Sequence, residues 1–261
     1  MTFQVYLPRP QLMPYVKHFV ISETANEQDY KILPDTSLVM GFQYSGQLAY
    51  RQNDTSVALS AAGITGLTDT FRIFRNSNRI GSVLVVFTET GASTFFREPL
   101  HELFRESLAL DTFIRSSAIS RLQERLADTL ADRAKIELIE DFLLSQWQQR
   151  TPDRLVDTAL FHIHQTKGTL RINELTNRLC ISQSPLEKRF RQVVGASPKK
   201  FSSIVRLQHA IHLLRSSHSL VETGLDTGYF DQAHFSKEFK AFTGATPLEF
   251  ANQHKNDFLQ E

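Results

Sequence analysis

The chain has 261 residues, of which 41% are hydrophobic and 22% charged, enough to form one large core or two ordinary ones. It contains neither a run of about 18 apolar residues nor a basic-then-apolar N-terminal segment, so we expect a cytoplasmic protein without a membrane segment. The single cysteine, Cys180, has no partner for a disulfide or a thiolate metal site, which disfavours redox chemistry.

Charge is distributed unevenly along the chain. Residues 1–157 contain 16 Lys and Arg against 19 Asp and Glu, whereas residues 158–261 contain 13 against 9. Within residues 171–215 the imbalance rises to 9 against 2, and seven of the nine histidines lie beyond residue 157. A stretch of this composition is typical of a segment that binds a polyanion.

Residues 3–110 alternate short apolar runs with Gly, Pro, Asn and Asp, which predicts a small β-sheet or barrel. The unbroken apolar run at 82–87 indicates a strand that is buried on both faces. The strands expected in this region lie at 37–44, 47–51, 56–59 and 81–88.

From about residue 116 the spacing of apolar residues changes to three and four, which predicts two amphipathic helices that divide near Asp132. Their apolar stripe either covers the sheet or pairs two subunits. Pro152 then predicts a break. We therefore expect an α+β chain with a β-rich domain at 1–115, a helical linker at 116–150 that includes possible dimerisation helices, and an all-α domain at 151–255.

The last hundred residues contain three signals for the start of a helix, each a hydroxyl residue three positions before a glutamate. The pairs are Ser184 with Glu187, Ser219 with Glu222, and Thr246 with Glu249. Two stretches share one plan: a helix, a tight turn, a second helix and a glycine. These helix-turn-helix patterns cover 172–195 and 220–244.

The second helix of such a unit fits the major groove of DNA, so we searched both for polar residues opposite the buried face. In the first unit the helical spacing of Leu186, Phe190 and Val194 predicts that these side chains pack inward. The residues expected to face DNA there are Ser184, Glu187, Lys188 and Arg191. Glu187 has an alternative role, which is to complete a capping box with Ser184.

In the second unit Phe235 and Phe239 mark the buried face, and Gln232 is the natural reader of a base edge. The residues expected to face DNA are Gln232, His234, Ser236 and Lys237. Phosphate contacts are expected from Arg171, Arg178, Lys199, Lys200 and Arg206. No second ligand stands near His234 at metal spacing, so we expect neither a metal nor a cofactor.

These motifs resemble the AraC/XylS family of transcription regulators. The resemblance is carried by residues 181–191 (ISQSPLEKRFR), 195–201 (GASPKKF), 228–240 (GYFDQAHFSKEFK) and 244–250 (GATPLEF). It implies a seven-helix domain over about 157–255 in which a long helix near 202–216 joins two helix-turn-helix units. It also implies that both recognition helices enter successive major grooves on one face of the DNA.

The first unit departs from the family pattern in its turn, where Cys180 replaces the usual glycine, and in its recognition helix, where Pro185 stands early. The N-terminal region more weakly resembles a cupin-like sensor domain through residues 12–16, 33–35 and 86–92. Metal-using cupins need several histidines, and this region offers His18 and His101 alone.

The sequence therefore predicts a sequence-specific regulator of transcription that binds double-stranded DNA and is not an enzyme. RNA polymerase, a small-molecule effector and a second copy of the chain are further partners that the resemblance allows. One alternative is a β-barrel enzyme, such as a base-repair protein, with a DNA-binding tail. That chemistry requires an accessible cysteine, whereas we expect Cys180 to be packed in its turn. Another alternative is an interaction module without DNA affinity.

Overall fold

The computed structural model describes residues 2–52, 55–216, 219–229 and 231–257. Within these ranges an N-terminal region of ten strands precedes nine α-helices, which confirms the predicted α+β class. The strands are β1 (Thr2–Tyr6), β2 (Val16–Thr24), β3 (Gln28–Ile32), β4 (Val39–Ser45), β5 (Leu48–Gln52), β6 (Thr55–Ala58), β7 (Ala62–Thr65), β8 (Arg72–Asn76), β9 (Ile80–Phe87) and β10 (Ser107–Ala109).

The strands form two antiparallel sheets. One sheet has six strands in the order β1-β2-β9-β4-β7-β10, and the other has four in the order β3-β8-β5-β6. Strand β9 lies between β2 and β4, with Val83 opposite both Ile21 and Phe42. Both neighbours therefore satisfy its backbone groups, and its apolar run is largely buried, as the sequence predicted.

The six-stranded sheet is covered on one side by two helices, α1 (Ser116–Asp128) and α2 (Asp132–Gln146). Ile119, Leu122 and Leu126 of α1 are buried, and Phe142 of α2 meets Phe42 of β4 edge to face with ring centroids 5.7 Å apart. Of the two roles considered for this apolar stripe, covering the sheet is the one that the structure shows.

The remaining helices form the C-terminal region. They are α3 (Arg154–Gln165), α4 (Ile172–Arg178), α5 (Gln183–Val194), α6 (Pro198–Arg215), α7 (Leu220–Asp226), α8 (Gln232–Thr243) and α9 (Pro247–Asp257). The two predicted capping boxes at Ser219 and Thr246 are both formed. No helix of the described residues is long and apolar enough to cross a membrane.

The buried apolar residues of the described ranges form two hydrophobic clusters. The larger cluster runs from Leu12 through the sheets to Phe190 of α5 and Val205 of α6. The smaller one joins Ile204 and later residues of α6 to α8 and α9. The first helix-turn-helix unit therefore packs into the same core as the N-terminal sheets, whereas the second has a core of its own.

Candidate nucleic-acid interface

The first helix-turn-helix unit consists of α4, a short turn and α5. Leu186, Phe190 and Val194 are completely buried along one side of α5, as their spacing predicted. Ser182 occupies the N-cap position of α5 without a side-chain cap. The predicted capping box of Ser184 and Glu187 is therefore wrong. The helix begins at Gln183, one residue before Ser184. Pro185 then falls in the first turn, where proline is tolerated because the helix needs no backbone amide there.

The opposite side of α5 presents its polar residues to solvent. Ser184, Lys188 and Arg191 are exposed, and Glu187 is half-buried. The Gln183 side chain donates a hydrogen bond of 2.8 Å to the carboxylate of Glu187. Glu187 does not cap the helix, so its side chain stays on the same face of α5 as that of Lys188.

The turn between α4 and α5 carries a strained residue. Cys180 has φ of +51°, the left-handed region in which the usual glycine has no steric cost. Its thiol is exposed and lies 3.7 Å from the carbonyl oxygen of Asn177, so the expectation that this side chain is packed is wrong. The turn keeps the backbone of a glycine turn and accommodates the cysteine by pointing its side chain outward.

The second unit, α7 with α8, is capped and packed by its own residues. Asp231 precedes α8, and its carboxylate accepts a hydrogen bond of 2.7 Å from the amide of His234. Behind the helix, the rings of Phe235 and Phe239 are buried and meet edge to face with centroids 5.7 Å apart, and Phe250 of α9 meets Phe239 in the same way at 5.4 Å. The buried face predicted for this helix is thus confirmed.

The outer face of α8 carries the second set of predicted DNA contacts. Gln232, His234 and Lys237 are exposed, and Ser236 is half-buried. His234 lies 3.6 Å from Glu238 and edge-on to Tyr229, so a carboxylate does stand close to this histidine, contrary to the sequence argument. The described residues contain no group of three His, Cys, Asp or Glu side chains that could hold a metal ion.

Arg206, one of the residues predicted to contact a phosphate, bonds to other residues of the protein. Arg206 of α6 donates a hydrogen bond of 2.7 Å to Glu238 of α8, and its guanidinium lies 4.5 Å from the centre of the Tyr229 ring. Burial raises the pKa of the Tyr229 hydroxyl to about 12. Arg206 therefore ties the long helix to the second unit, and a phosphate would have to compete with Glu238 for its guanidinium.

The start of α6 presents Lys199 and Lys200 to solvent, near the first unit. The ammonium of Lys200 contacts Asp69, a buried residue of the loop between β7 and β8, and Asp69 also accepts from the guanidinium of Arg105. Burial raises the pKa of Asp69, but the two cations outweigh it and the net pKa is lowered. Lys200, which is predicted to contact DNA, is thus held in an ion pair by Asp69 of the N-terminal region.

Both recognition helices end against the N-terminal region. Gly195, which follows α5 with φ of +92°, faces the carbonyl of Leu100. Gly244, which follows α8 with φ of +77°, faces the Phe71 ring. The Thr70 hydroxyl donates to the Ala241 carbonyl and Lys31 to that of Thr243. The N-terminal halves of the two helices, which carry the predicted base readers, remain open.

The geometry places the C-terminal region in the class of helix-turn-helix domains, and comparison with protein families agrees. Residues 175–253 match the family model described as a helix-turn-helix domain. Residues 4–109 match a model described as a domain of unknown function, DUF6597. The C-terminal region is a helix-turn-helix domain of the AraC type, which confirms the resemblance seen in its sequence motifs.

Curated relatives are similar over part of their length. An uncharacterised HTH-type transcriptional regulator of Haemophilus influenzae is 30% identical over 58% of this chain and 51% of its own. The arabinose operon regulatory protein of Escherichia coli is 28% identical over 63% of this chain and 56% of its own. The chain thus spans about half the length of these relatives. A structure of ToxT from Vibrio cholerae aligns with 90% of this chain and 97% of its own, at 11% identity and a TM-score of 0.48.

Proposed function

We propose that the chain is a sequence-specific regulator of transcription that binds double-stranded DNA. One observation carries the proposal: each of two helix-turn-helix units buries the apolar side of its second helix and leaves the polar N-terminal half of that helix open. That half is the part of a recognition helix that reads base edges in the major groove. The basic excess over residues 171–215 supplies the attraction to phosphates.

The exposed residues divide into base readers and phosphate contacts. Gln232 reads an adenine through its amide, which donates and accepts at once, and Lys188 reads a guanine or contacts a phosphate. Lys199 and Lys200 contact the DNA backbone beside the first unit. The remaining base-facing positions are Ser184, Glu187, Arg191, His234, Ser236 and Lys237.

The names of the relatives support regulation over catalysis, since they describe transcriptional regulators and an operon regulatory protein. We accordingly propose that the chain is not an enzyme and that it acts in the cytoplasm, at the nucleoid when bound. A small-molecule effector, RNA polymerase and a second copy of the chain are the further partners of this proposal.

The test is selection of genomic DNA fragments by the full-length chain, followed by sequencing, at two salt concentrations. The full chain is needed because the first unit shares its core with the N-terminal sheets. We expect one enriched motif spanning about two helical turns, with weaker binding at higher salt.

Two variants locate the interface in the same experiment. Gln232→Ala is expected to weaken binding by about 1–3 kcal/mol and to relax selection at one base pair, whereas Lys188→Ala also lowers the salt dependence if it contacts a phosphate. Arg133→Ala is the matched control, because Arg133 is an exposed cation on α2 that pairs with Glu137 of the same helix. Absence of an enriched motif, or an equal loss in the control, would contradict the proposal.

A further inference from the structure

A cavity of about 230 Å³ lies between the two sheets of the N-terminal region. Its wall is mostly apolar and includes Ile64, Phe74 and Leu84, which come from β7, β8 and β9. For scale, an apolar protein cavity of about 150 Å³ takes up benzene, so this one has room for roughly ten non-hydrogen atoms.

Among the described residues that line the cavity, Arg72 is the one cation. Side chains alternate along β8, so Arg72, Phe74 and Asn76 line the cavity while Arg75 points away from it and pairs with Asp29. The Arg72 guanidinium donates 2.8 Å to the Ser107 hydroxyl and a second hydrogen bond to the carbonyl of Arg105. Burial lowers its pKa from the ordinary value.

In the described part of the chain, no carboxylate lies within ion-pair distance of Arg72. The Tyr50 ring lies 5.7 Å from the guanidinium, and Tyr50 and Glu106 both raise the pKa of Arg72, but Glu106 forms no ion pair with it. Asp35 also borders the cavity, but it is exposed and its carboxylate accepts from the amide of Ser37. A half-buried guanidinium whose hydrogen bonds go to neutral groups alone has lost part of its hydration, and an anion replaces that loss best.

We propose that this cavity binds a small, mostly apolar molecule with one carboxylate, and that Arg72 receives the carboxylate. Arginine suits this role because its planar fork of donors matches the two oxygens of a carboxylate. The apolar walls then bury the rest of the ligand. The site deepens the proposed function, on which it rests, by assigning a chemical class to the effector.

The same arginine is linked to the DNA-binding region through a short chain of contacts. Arg72 bonds the carbonyl of Arg105, the Arg105 side chain bonds Asp69, and Asp69 bonds Lys200 at the start of α6. A carboxylate bound to Arg72 competes with that carbonyl. The contact that holds Lys200 therefore changes when the cavity is occupied.

Binding is tested by calorimetric titration of the full-length chain without DNA. The probes are 3-phenylpropanoate and cyclohexanecarboxylate, each compared with its uncharged amide. We expect at least one carboxylate to bind ten or more times tighter than its amide. Arg72→Gln is expected to remove that preference and Arg72→Lys to restore part of it.

Two further variants separate the site from general charge and from folding. Arg75→Gln removes a cation from the outward side of the same strand and is expected to leave binding unchanged. Leu84→Phe fills the cavity and is expected to abolish binding of all four probes, with a circular dichroism spectrum like that of the parent. Equal binding of acids and amides, no binding of either acid at millimolar concentration, or an equal loss in Arg75→Gln would overturn the proposal.

The link to α6 is tested by measuring DNA affinity with and without the bound probe. We expect occupancy to change that affinity by a factor of three or more, and Asp69→Asn to reduce the change without altering the affinity for the probe. An unchanged DNA affinity would overturn the link. If the chain binds a carboxylate but no DNA, the proposed function is wrong and the carboxylate site is supported. If the chain binds DNA but no carboxylate, the carboxylate site is wrong and the proposed function is supported.

Discussion

The two helix-turn-helix units have similar backbones but owe their stability to different parts of the chain. The second is specified locally: Gly228 provides its turn at φ of +69°, Asp231 caps its recognition helix, and its aromatic core is its own. The first has Cys180 in its turn, no side-chain cap on α5, and Phe190 in the core of the N-terminal sheets. The comparison indicates that the N-terminal region acts most directly on the first unit.

The largest expected effect comes from removing one core ring from each unit. Phe190→Ala and Phe239→Ala should each cost about 3–5 kcal/mol of unfolding free energy, since both side chains are fully buried. Hydrogen exchange should separate them. Phe190→Ala is expected to reduce amide protection in β9 as well as in α5, whereas Phe239→Ala is expected to affect α7 to α9 alone.

The exposed residue Phe161 is the control for loss of a ring, because Phe161→Ala creates no cavity in either core. Protection of β9 that is unchanged in Phe190→Ala would show that the sheets and the first unit do not unfold together. The contrast between the units would then be lost.

A smaller effect is expected where the second unit touches the N-terminal region. A Cβ at Gly244 would lie 2.6 Å from the Phe71 ring, at φ of +77°. Gly244→Ala should therefore cost about 2–3 kcal/mol in thermal unfolding, from left-handed backbone strain and the displaced ring together. In a Phe71→Ala background the cost should fall to about 1–2 kcal/mol. An equal cost in both backgrounds would mean that Phe71 does not press on the helix end.

An acid-sensitive contact joins the N-terminal region to α3, beside the first unit. Burial raises the pKa of Glu89, but the His164 ring 3.6 Å away and a hydrogen bond of 2.9 Å from Lys17 outweigh it and lower that pKa to about 2. Because the folded pKa lies below the unfolded value of about 4.3, the contact stabilises the fold above pH 4.3 and loses its effect as pH falls toward 2.

Glu89→Gln should therefore cost about 2 kcal/mol at pH 7 and progressively less between about pH 5 and 2, measured by denaturant unfolding. Glu137→Gln, on an exposed ion pair of α2, is the matched control and should cost well under 1 kcal/mol at any pH. A difference between Glu89→Gln and the parent that does not shrink in acid would contradict this assignment.

The smallest effect tests the two turns. Cys180→Gly should stabilise the chain by about 0.5–1 kcal/mol, because relief of left-handed strain exceeds the added entropy of the unfolded glycine. Gly228→Ala, the reciprocal change in the second unit, should destabilise it by about 1 kcal/mol. The midpoint of thermal unfolding measures both, and a destabilised Cys180→Gly variant would show that the cysteine side chain contributes contacts.

Much of the local structure was predictable because it depends on near neighbours. Apolar spacing located the helices, and the hydroxyl and glutamate pairs at Ser219 and Thr246 located two starts correctly. The same rule failed at Ser184, because a proline in the first turn leaves more than one starting residue open. The sequence correctly indicated that Cys180 occupies a glycine position, but the exposure of its side chain depends on the orientation of the turn in the folded chain.

The contacts between regions were not predictable from sequence. Lys200 and Asp69 are 131 positions apart, and neither has a local pattern that indicates the other. The hydrogen bond between Arg206 and Glu238 could not be predicted for the same reason. A basic residue near a recognition helix has the same local sequence pattern whether it faces solvent or a carboxylate. The base-facing residues of α5 and α8 stay predictions until DNA binding is measured.

The loop between β7 and β8 contacts the start of α6 next to the first unit, through Asp69 on Lys200, and the end of the second unit, through Phe71 on Gly244. Its length therefore helps to set how far apart the two recognition helices lie. B-DNA rises about 3.4 Å per base pair, so a change of that size in the separation displaces one helix by one base pair relative to the other. We expect insertions or deletions in this loop to alter the spacing between the two half-sites of an operator, although no residue of the loop reads a base.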